Sequence, residues 1–287
     1  MARDRQIGGG RGPVTSRIPT QREIHDMQHA SQLEALADSL AAARRDVRQL
    51  ASLPEELVPA TVRDAYIVNG MVAQRLGWDP LGWKIAGTTS KVREKLRLDT
   101  PIYGRTFRRF ACQSPIHFQA GELLDPLVEC EFFVTLAQDL PPRKAPWTMP
   151  EVIEAIDTVH AGIEVAECRF PSAALPCLHA ILADGSASGR YVFGGAISNW
   201  RDGLANTTVN LEIEGKLRRQ GVGADVMGDP LRPLLWLAEE RREWGDGLLA
   251  GETISTGSMT GMLPIRAGQH ARATFGDAAV VEISFDA

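Results

Sequence analysis

A ten-residue apolar run, LVECEFFVTL at residues 127–136, contains two glutamates and constrains the fold more than any other part of the sequence. In a β-strand, Glu129 and Glu131 lie on one face together with Phe133, while Phe132 lies on the other, so neither face is clearly polar. Burial of one carboxylate is costly, and burial of two neighbouring carboxylates costs more. The run therefore raises the question of what these two side chains hold.

The spacing of the two glutamates is compatible with a metal site. Positions i and i+2 of a strand lie roughly 6.5–7 Å apart on one face, so Glu129 and Glu131 can converge on one divalent cation such as Mg²⁺ or Mn²⁺. A third acid is needed, and Glu164 in GIEVAECRF is the best candidate, with Glu167 as its competitor. The same spacing is also typical of the solvent-facing side of an amphipathic strand, so spacing alone leaves both interpretations open.

Length and composition exclude several classes of protein. The chain has 287 residues, which suits one large domain or a domain with a helical appendage. The net charge of −5 argues against nucleic acid as a main partner. No apolar stretch approaches the roughly 20 residues of a membrane span, so no membrane partner is expected. The four cysteines lack CxxC spacing, which is typical of reduced thiols and predicts a cytoplasmic location.

The sequence pattern predicts three regions and an α+β fold. Residues 1–22 contain charges and glycines without the apolar segment of a signal peptide, and are expected to form a disordered basic arm. Residues 23–80 read as a helical region, because apolar residues recur at spacings of three and four. Residues 81–287 contain many short strand-like runs and are expected to form a β-rich catalytic domain. Helices followed by strands, without regular βαβ alternation, indicate α+β.

Local signals predict the ends of individual elements. A helix is expected from residue 62, with Val62 turned inward and Gly77 as its stop. A capping box beginning at Thr148 predicts a helix that ends near Gly162. Asp229 is the predicted N-cap of a later helix that ends at Gly245. Separately, the NLEIEGK segment predicts a solvated hairpin with its turn at residues 214–215.

Seven segments, taken in order, resemble one enzyme family. They span about residues 30 to 287 and read DAYIVNGMVAQRLG, GWKIAGTTS, VECEFFV, IEVAECRF, LADGSASGRYVFG, GDPLRPLLWLAEE and LLAGETISTGSMTG. Together they resemble the 2-keto-4-pentenoate hydratase and 2-oxo-hexenedioate decarboxylase branch of the fumarylacetoacetate hydrolase superfamily. The resemblance implies a mixed β-roll with an N-terminal helical region, a homo-oligomeric assembly and a small 2-keto acid substrate.

The resemblance also implies roles for individual residues. Glu129 and Glu131 match the family's Glu-x-Glu pair and Glu164 matches the third ligand of a Mg²⁺ or Mn²⁺ ion. Lys84 matches the lysine that contacts the bound keto acid, which makes it the expected catalytic residue. Two further residues, Ser188 and Thr256, match substrate-side positions.

The sequence departs from the family pattern at two places near the expected pocket. Family members commonly read GLTS where this chain has GTTS at 87–90, and ADN where it has ADG with Gly185. These changes put the exact substrate in question more than the fold or the metal. The basic cluster that includes Arg105 could bind the distal carboxylate of a dicarboxylic substrate, although such a cluster is also typical of a solvated edge.

The first hypothesis is a metal-dependent hydratase that adds water to a 2-hydroxy-2,4-dienoate in the degradation of aromatic compounds. A 2-keto acid can chelate a metal, which then stabilises the enolate formed when C3 gains or loses a proton. The second hypothesis is a decarboxylase of a 2-oxo-3-hexenedioate, because loss of carbon dioxide uses the same electron sink. The third is a catalytically silent protein that binds a keto acid or a partner enzyme.

Overall fold

Two long helices begin the part of the chain that the computed structural model describes, residues 21–119 and 121–286. The predicted arm at residues 1–22 lies outside this part apart from Gln21 and Arg22, whose backbone belongs to the first helix. The seven helices of the described residues are α1 Gln21–Arg45, α2 Val62–Leu76, α3 Ser90–Leu96, α4 Met149–Glu154, α5 Leu178–Ala183, α6 Trp200–Gly203 and α7 Arg232–Trp244. None of the described helices is long and apolar enough to cross a membrane.

Thirteen strands occur in the same described residues. They are β1 Pro80–Ala86, β2 Ile102–Phe107, β3 Ala111–Gln113, β4 Ile116–Phe118, β5 Leu127–Leu136, β6 Ile156–Ala166, β7 Arg190–Ala196, β8 Thr208–Ile213, β9 Lys216–Val222, β10 Thr253–Ser255, β11 Leu263–Pro264, β12 His270–Phe275 and β13 Ala279–Phe285. One sheet has the order β2-β1-β10-β5-β6-β7-β3, with β11 paired to β5, and the other has the order β4-β13-β12-β8-β9. Parallel and antiparallel pairs occur in both sheets. The predicted α+β class with mixed sheets is confirmed.

The two sheets pack through one face of β5. Val128, Cys130, Phe132 and Val134 belong to the main core cluster, and the Phe132 ring lies 5.7 Å from the ring of Phe275 in the second sheet. Alternation along a strand turns the intervening residues to the opposite face. The glutamates of β5 therefore point away from the core between the sheets, although that second face is also buried.

The N-terminal helices form a separate hydrophobic cluster against the first sheet. Leu36 and Leu40 of α1 pack in this cluster with Val68 and Val72 of α2. The prediction that α2 stops at Gly77 is confirmed, since this residue adopts the left-handed conformation with φ 59°. The prediction that Val62 turns inward is wrong: its side chain is 44% exposed at the first helical position.

Two other predicted boundaries are wrong, the first for a tertiary and the second for a local reason. The helix that begins after Thr148 ends at Glu154 rather than near Gly162, because residues from Ile156 onward pair with β5 instead. Asp229 is not the N-cap of α7, which starts at Arg232 with Leu231 as its N-cap; its carboxylate accepts a hydrogen bond from the Leu231 N–H at 2.8 Å.

Other local predictions are confirmed. Glu151 accepts a hydrogen bond from the Thr148 backbone N–H at 2.9 Å, as the capping box requires. Gly245 ends α7 with φ 94°. The hairpin of β8 and β9 turns at residues 214–215, both of which have positive φ.

Candidate metal centre

Strand pairing brings three glutamates together. Glu129 of β5 and Glu164 of β6 are directly opposed in the antiparallel pair, and Glu131 lies two residues further along β5, opposite Gly162. One carboxylate oxygen of each glutamate lies within 4.8 Å of those of the other two. The three side chains are buried, with exposed fractions of 8%, 1% and 0% for residues 129, 131 and 164. This cluster is called the carboxylate centre below.

Lys84 supplies the positive charge next to the carboxylate centre. Its Nζ lies 2.8 Å from Oε1 of Glu164 and donates a hydrogen bond to the Ser186 carbonyl at 3.0 Å. Strand β10 lies between β1 and β5, so Lys84 reaches across the face of the sheet. The lysine side chain is buried, which makes its pairing with carboxylates necessary for stability.

Hydrogen bonds orient two of the carboxylates. Glu131 accepts bonds from the Ser255 hydroxyl and from the Gly257 N–H, the second at 2.9 Å. The Tyr191 hydroxyl donates to Oε1 of Glu164 at 3.4 Å, and Ser188 Oγ lies 2.9 Å from the same tyrosine hydroxyl.

The protein's own groups do not balance the negative charge of the centre. Burial raises the pKa of Glu129 to about 7, although Lys84 lowers it in part, and burial also raises the pKa values of Glu131 and Glu164. Burial alone would lower the pKa of Lys84, but the carboxylates, Glu164 first, raise it above its ordinary value. When all four groups are ionised, three carboxylates and one ammonium leave a formal charge of −2.

The donor set fits a divalent cation. Oε2 of Glu164 is buried and has no hydrogen-bond partner among the described residues. A buried carboxylate oxygen needs either a hydrogen-bond donor or a cation. Carboxylate oxygens are the ligands that hard divalent cations prefer. A charge of +2 would balance the formal charge of the centre. Glu129, Glu131 and Glu164 could therefore hold such an ion.

The other residues singled out in the sequence lie in different places. Ser188 contacts the centre through Tyr191, as described above. Thr256 is fully buried between Ser255 and Gly257, and its Oγ1 has no hydrogen-bond partner among the described residues. Glu167 does not join the centre; its carboxylate pairs with Arg169 at 3.0 Å.

Arg105 is not brought to the carboxylate centre. In the pairing of β1 and β2 it opposes Trp83, whereas Lys84 opposes Gly104, so Arg105 and Lys84 lie on opposite faces of the sheet. The Arg105 guanidinium pairs with Glu252 at 2.7 Å and stacks over the Trp83 ring at 4.3 Å.

Sequence reasoning missed two residues of the centre. Tyr191 is the strand partner of Glu164 on β7, and Ser255 is the strand partner of Lys84 on β10. Both occur inside the segments quoted above, SASGRY and ETISTGS. Their signal lies in strand register, because alternation then places them on the same face as the glutamates.

A narrow cleft borders the centre and is closed in this structure, with no space for a water molecule. It is lined by Leu81, Trp83, Thr106, Phe133, Tyr191, Phe193, Thr253 and Ser255. Gly162 makes room for one wall, since a Cβ at this position would overlap the ring of Phe133. No basic side chain occurs among these described lining residues.

Both departures from the family pattern lie next to the centre. A Cβ on Gly257, whose N–H binds Glu131, would overlap the buried side chain of Thr88. Gly185 has φ +77°, and a Cβ there would lie 3.0 Å from Nδ2 of Asn69 and 3.3 Å from the Arg44 guanidinium. Thr88 therefore packs against the segment whose Gly257 N–H binds Glu131, and Gly185 directly precedes Ser186, whose carbonyl binds Lys84.

Comparison with known proteins places the chain in a family, although no protein-family model matches it. It is 30% identical over 241 residues to 2-keto-4-pentenoate hydratase of Paraburkholderia xenovorans (strain LB400), covering 83% of this chain and 88% of the relative. It is 29% identical over 245 residues to 4-oxalocrotonate decarboxylase of Pseudomonas sp. (strain CF600), covering 83% and 91%.

Solved structures agree with these sequence relatives. The 4-oxalocrotonate decarboxylase from Pseudomonas putida G7, complexed with magnesium and adipate, superimposes with a TM-score of 0.82 at 26% identity, covering 89% of this chain and 98% of that one. A putative fumarylacetoacetate hydrolase family protein from Yersinia pestis CO92 shares the fold, with a TM-score of 0.54 at 17% identity over 72% of this chain and 93% of that one. The chain belongs to the 2-keto-4-pentenoate hydratase family, and it shares its fold with a fumarylacetoacetate hydrolase family protein.

Proposed function

We propose that this protein is a metal-dependent hydratase that adds water to a 2-hydroxy-2,4-dienoate, of the 2-keto-4-pentenoate type, in the degradation of aromatic compounds. The observation that carries the proposal is the buried carboxylate centre with its formal charge of −2 beside an apolar cleft. The relatives named 2-keto-4-pentenoate hydratase support this reading.

The proposal assigns Glu129, Glu131 and Glu164 to a Mg²⁺ or Mn²⁺ ion. When bound, such an ion supplies a Lewis acid that stabilises the enolate form of a 2-keto acid. The solved neighbours complexed with magnesium or calcium are consistent with a hard divalent cation.

Residues of the chain itself would bind and orient the substrate. Lys84 has three N–H donors. One is directed to the Glu164 carboxylate and another donates to the Ser186 carbonyl. We assign the third to the substrate carboxylate. The hydroxyls of Ser188 and Tyr191 hold the Glu164 carboxylate in position. Thr256 Oγ1, which is buried and has no hydrogen-bond partner in the described part of the chain, is assigned to a polar atom of the substrate.

The cleft has no space for a water molecule, so a substrate tail could enter only if the lining side chains move, and their apolar character favours an uncharged tail. Phe133, Tyr191 and Phe193 form an apolar wall beside Ser255, and the described residues that line the cleft include no base. A second carboxylate placed there would lose its hydration without gaining a cationic partner, which is unfavourable. The apolar lining therefore favours a monocarboxylic dienoate, and with it hydration, over decarboxylation of a dicarboxylate.

Decarboxylation of a 2-oxo-3-hexenedioate is the second candidate. The decarboxylase from Pseudomonas putida G7, whose complex contains the dicarboxylate adipate, superimposes closely on this chain. The arginine that could bind the distal carboxylate, Arg105, lies on the other face of the sheet and is paired with Glu252.

The proposal also includes a homo-oligomeric assembly and a cytoplasmic location, as the resemblance and the unpaired cysteines suggest.

The test is an assay of metal-stripped protein with and without added Mg²⁺ or Mn²⁺. It offers 2-hydroxypenta-2,4-dienoate and 2-oxo-3-hexenedioate in parallel, and follows dienoate absorbance and released carbon dioxide. We expect metal-restored loss of the dienoate without carbon dioxide. Metal-restored carbon dioxide from the dicarboxylate would favour the decarboxylase, and no turnover of either substrate would favour the silent binding protein.

A matched pair of variants links any activity to the carboxylate centre. Glu131→Gln removes one carboxylate of the centre and is expected to abolish metal-restored turnover. Glu212→Gln is the control, because Glu212 and Glu214 have the same spacing but lie at the hairpin of β8 and β9. Turnover that survives Glu131→Gln unchanged would reject the metal mechanism.

A further inference from the structure

A second and larger cavity lies across strand β1 from the carboxylate centre. It has a volume of about 560 Å³, within the range of small-molecule sites. Its walls include four aromatic side chains and two arginines: Tyr66, Trp83, Tyr103, Trp244, Arg105 and Arg241. We call it the Trp83 cavity.

The Trp83 cavity is separate from the centre. Trp83 precedes Lys84 on β1, so the two side chains point to opposite faces of the sheet. Tyr103 and Arg105 lie on the Trp83 side because they oppose Ile85 and Trp83 in the pairing with β2. Neither Lys84 nor any glutamate of the carboxylate centre is among the described residues that line this cavity.

Two cations converge on one aromatic ring in this cavity. The guanidinium carbons of Arg105 and Arg241 each lie 4.3 Å from the centroid of the Trp83 ring. Glu252 is the buried anion of the cavity: its carboxylate accepts bonds from Trp83 Nε1 at 3.2 Å and from Arg105 at 2.7 Å. Like charges held this close repel each other unless anions compensate them.

Two anions face the two arginines, but only Glu252 is buried with them. Asp246 pairs with Arg241, but its side chain is 61% exposed, so water screens much of its charge. Arg241 is 7% exposed, and its Nε is buried without a hydrogen-bond partner among the described residues. A buried guanidinium donor without a partner is unfavourable, and it needs an acceptor.

We propose that the Trp83 cavity is a second binding site, one that takes a small planar carboxylate. The carboxylate would accept hydrogen bonds from Arg241 and Arg105, since guanidinium groups present paired N–H donors that match carboxylate geometry. The planar body would lie against Trp244, which lines the cavity and is 39% exposed. The site is independent of the proposed hydratase activity, because it uses none of the same side chains.

The test is a titration of the metal-loaded full-length protein with trans-cinnamate, followed by tryptophan fluorescence and by calorimetry. Cinnamamide, which has the same planar body without the negative charge, is the matched ligand. We expect saturable binding of cinnamate, and binding of cinnamamide weaker by about tenfold or more, from the loss of charge-assisted hydrogen bonds.

Three variants locate the bound molecule. Gly70 lies on the cavity wall in α2, is exposed, and has nothing within 4 Å of a Cβ built on it. Gly70→Phe is therefore expected to place a ring in the cavity with no clash at its Cβ, while Gly70→Ala leaves the cavity open and serves as the control. Arg241→Gln removes the guanidinium whose Nε has no acceptor among the described residues, and it should weaken cinnamate binding about tenfold or more.

Glu131→Gln separates the Trp83 cavity from the metal site. Cinnamate affinity should stay the same in this variant if the ligand lies in the cavity. Affinity lost in Glu131→Gln would place the ligand at the carboxylate centre and overturn the proposal. Undetectable cinnamate binding, or binding that Gly70→Phe and Arg241→Gln leave unchanged, would overturn it as well.

Discussion

Glu129 and Glu164 are directly opposed in the antiparallel pairing of β5 and β6, and both carboxylates are buried. Like charges at directly opposed positions destabilise a sheet. Lys84 provides one positive charge at 2.8 Å from Glu164, and a bound divalent cation would provide two more. The sheet at this point is therefore expected to be more stable with its cation than without it.

Replacement of Lys84 tests this balance of charge. Lys84→Met keeps the length of the side chain and removes its charge, which leaves the carboxylates without their only protein cation at hydrogen-bonding distance among the described residues. Loss of one partner of a buried ion pair costs about 3–5 kcal/mol. We expect the free energy of unfolding in urea without metal to fall by about this amount. Saturating Mg²⁺ should reduce the loss; an equal loss with and without Mg²⁺ would contradict the assignment.

The stability of the metal-free protein should depend on pH. The pKa of Glu129 is raised from 4.5 to about 7 by burial, so between these values the folded protein binds more protons than the unfolded chain. The free energy of unfolding therefore falls as pH rises through this interval, by on the order of 3 kcal/mol for one such group.

Two comparisons check the pH dependence. Glu129→Gln should make the slope shallower, because it removes one of the titrating carboxylates. Saturating Mg²⁺ should oppose the fall, since a metal binds the deprotonated carboxylates. Thermal unfolding between pH 4.5 and 7 measures both; a metal-free protein that gains stability across this range would show that burial does not raise the pKa values of these carboxylates.

Arg44 is expected to position the loop that contacts Lys84. Its guanidinium pairs with Asp184 at 3.1 Å and donates to the Ser188 carbonyl at 3.3 Å, and the loop between them contains Ser186. Arg44→Gln should lower stability by about 1.5–3 kcal/mol, the value of hydrogen bonds to a charged group. Turnover should fall even at temperatures where the variant remains folded.

Arg75 gives the matched control for Arg44. Arg75 of α2 forms ion pairs with Glu34 and Asp38 of α1, but both acidic side chains are more than half exposed. Exposed pairs contribute about 0–1 kcal/mol, so Arg75→Gln should change neither unfolding nor turnover appreciably. Equal effects of the two substitutions would mean that Arg44 has no special relation to the loop.

Gly162 should be required for the shape of the apolar cleft. A Cβ at this position would overlap the Phe133 ring, so Gly162→Ala forces the ring to move and is expected to cost about 1–3 kcal/mol. Turnover of the dienoate should fall with it. Gly195→Ala on β7 is the control, because its Cβ would meet Ala279 at 3.5 Å, an ordinary contact. Unfolding curves and steady-state rates of the two variants provide the comparison.

Local chemistry in the sequence determined several elements. The capping box at Thr148, the left-handed stops at Gly77 and Gly245 and the turn at residues 214–215 depend on contacts within a few residues. The alternation of apolar residues in β5 likewise predicted a buried strand with both glutamates on one face. These features can be read from sequence because their interactions are short-range.

Pairing between distant segments decided the rest. The predicted helix after Thr148 stops at Glu154 because the following residues pair with β5, and this tertiary pairing overrides local helix signals. The same register brings Glu164 opposite Glu129 and places Tyr191 beside it. Register also keeps residues apart. Arg105 follows Gly104, the strand partner of Lys84, so its side chain points to the opposite face of the sheet.

The sequence by itself therefore determined which residues could supply the chemistry, while the tertiary structure decided which of them meet. Residue type and spacing identified Glu129, Glu131, Glu164 and Lys84 as candidates, through the cost of burying their charges and through the family resemblance. Strand register depends on the whole sheet, and a shift of one residue moves every side chain to the other face. For that reason only the folded structure could separate the carboxylate centre from the cavity that contains Arg105.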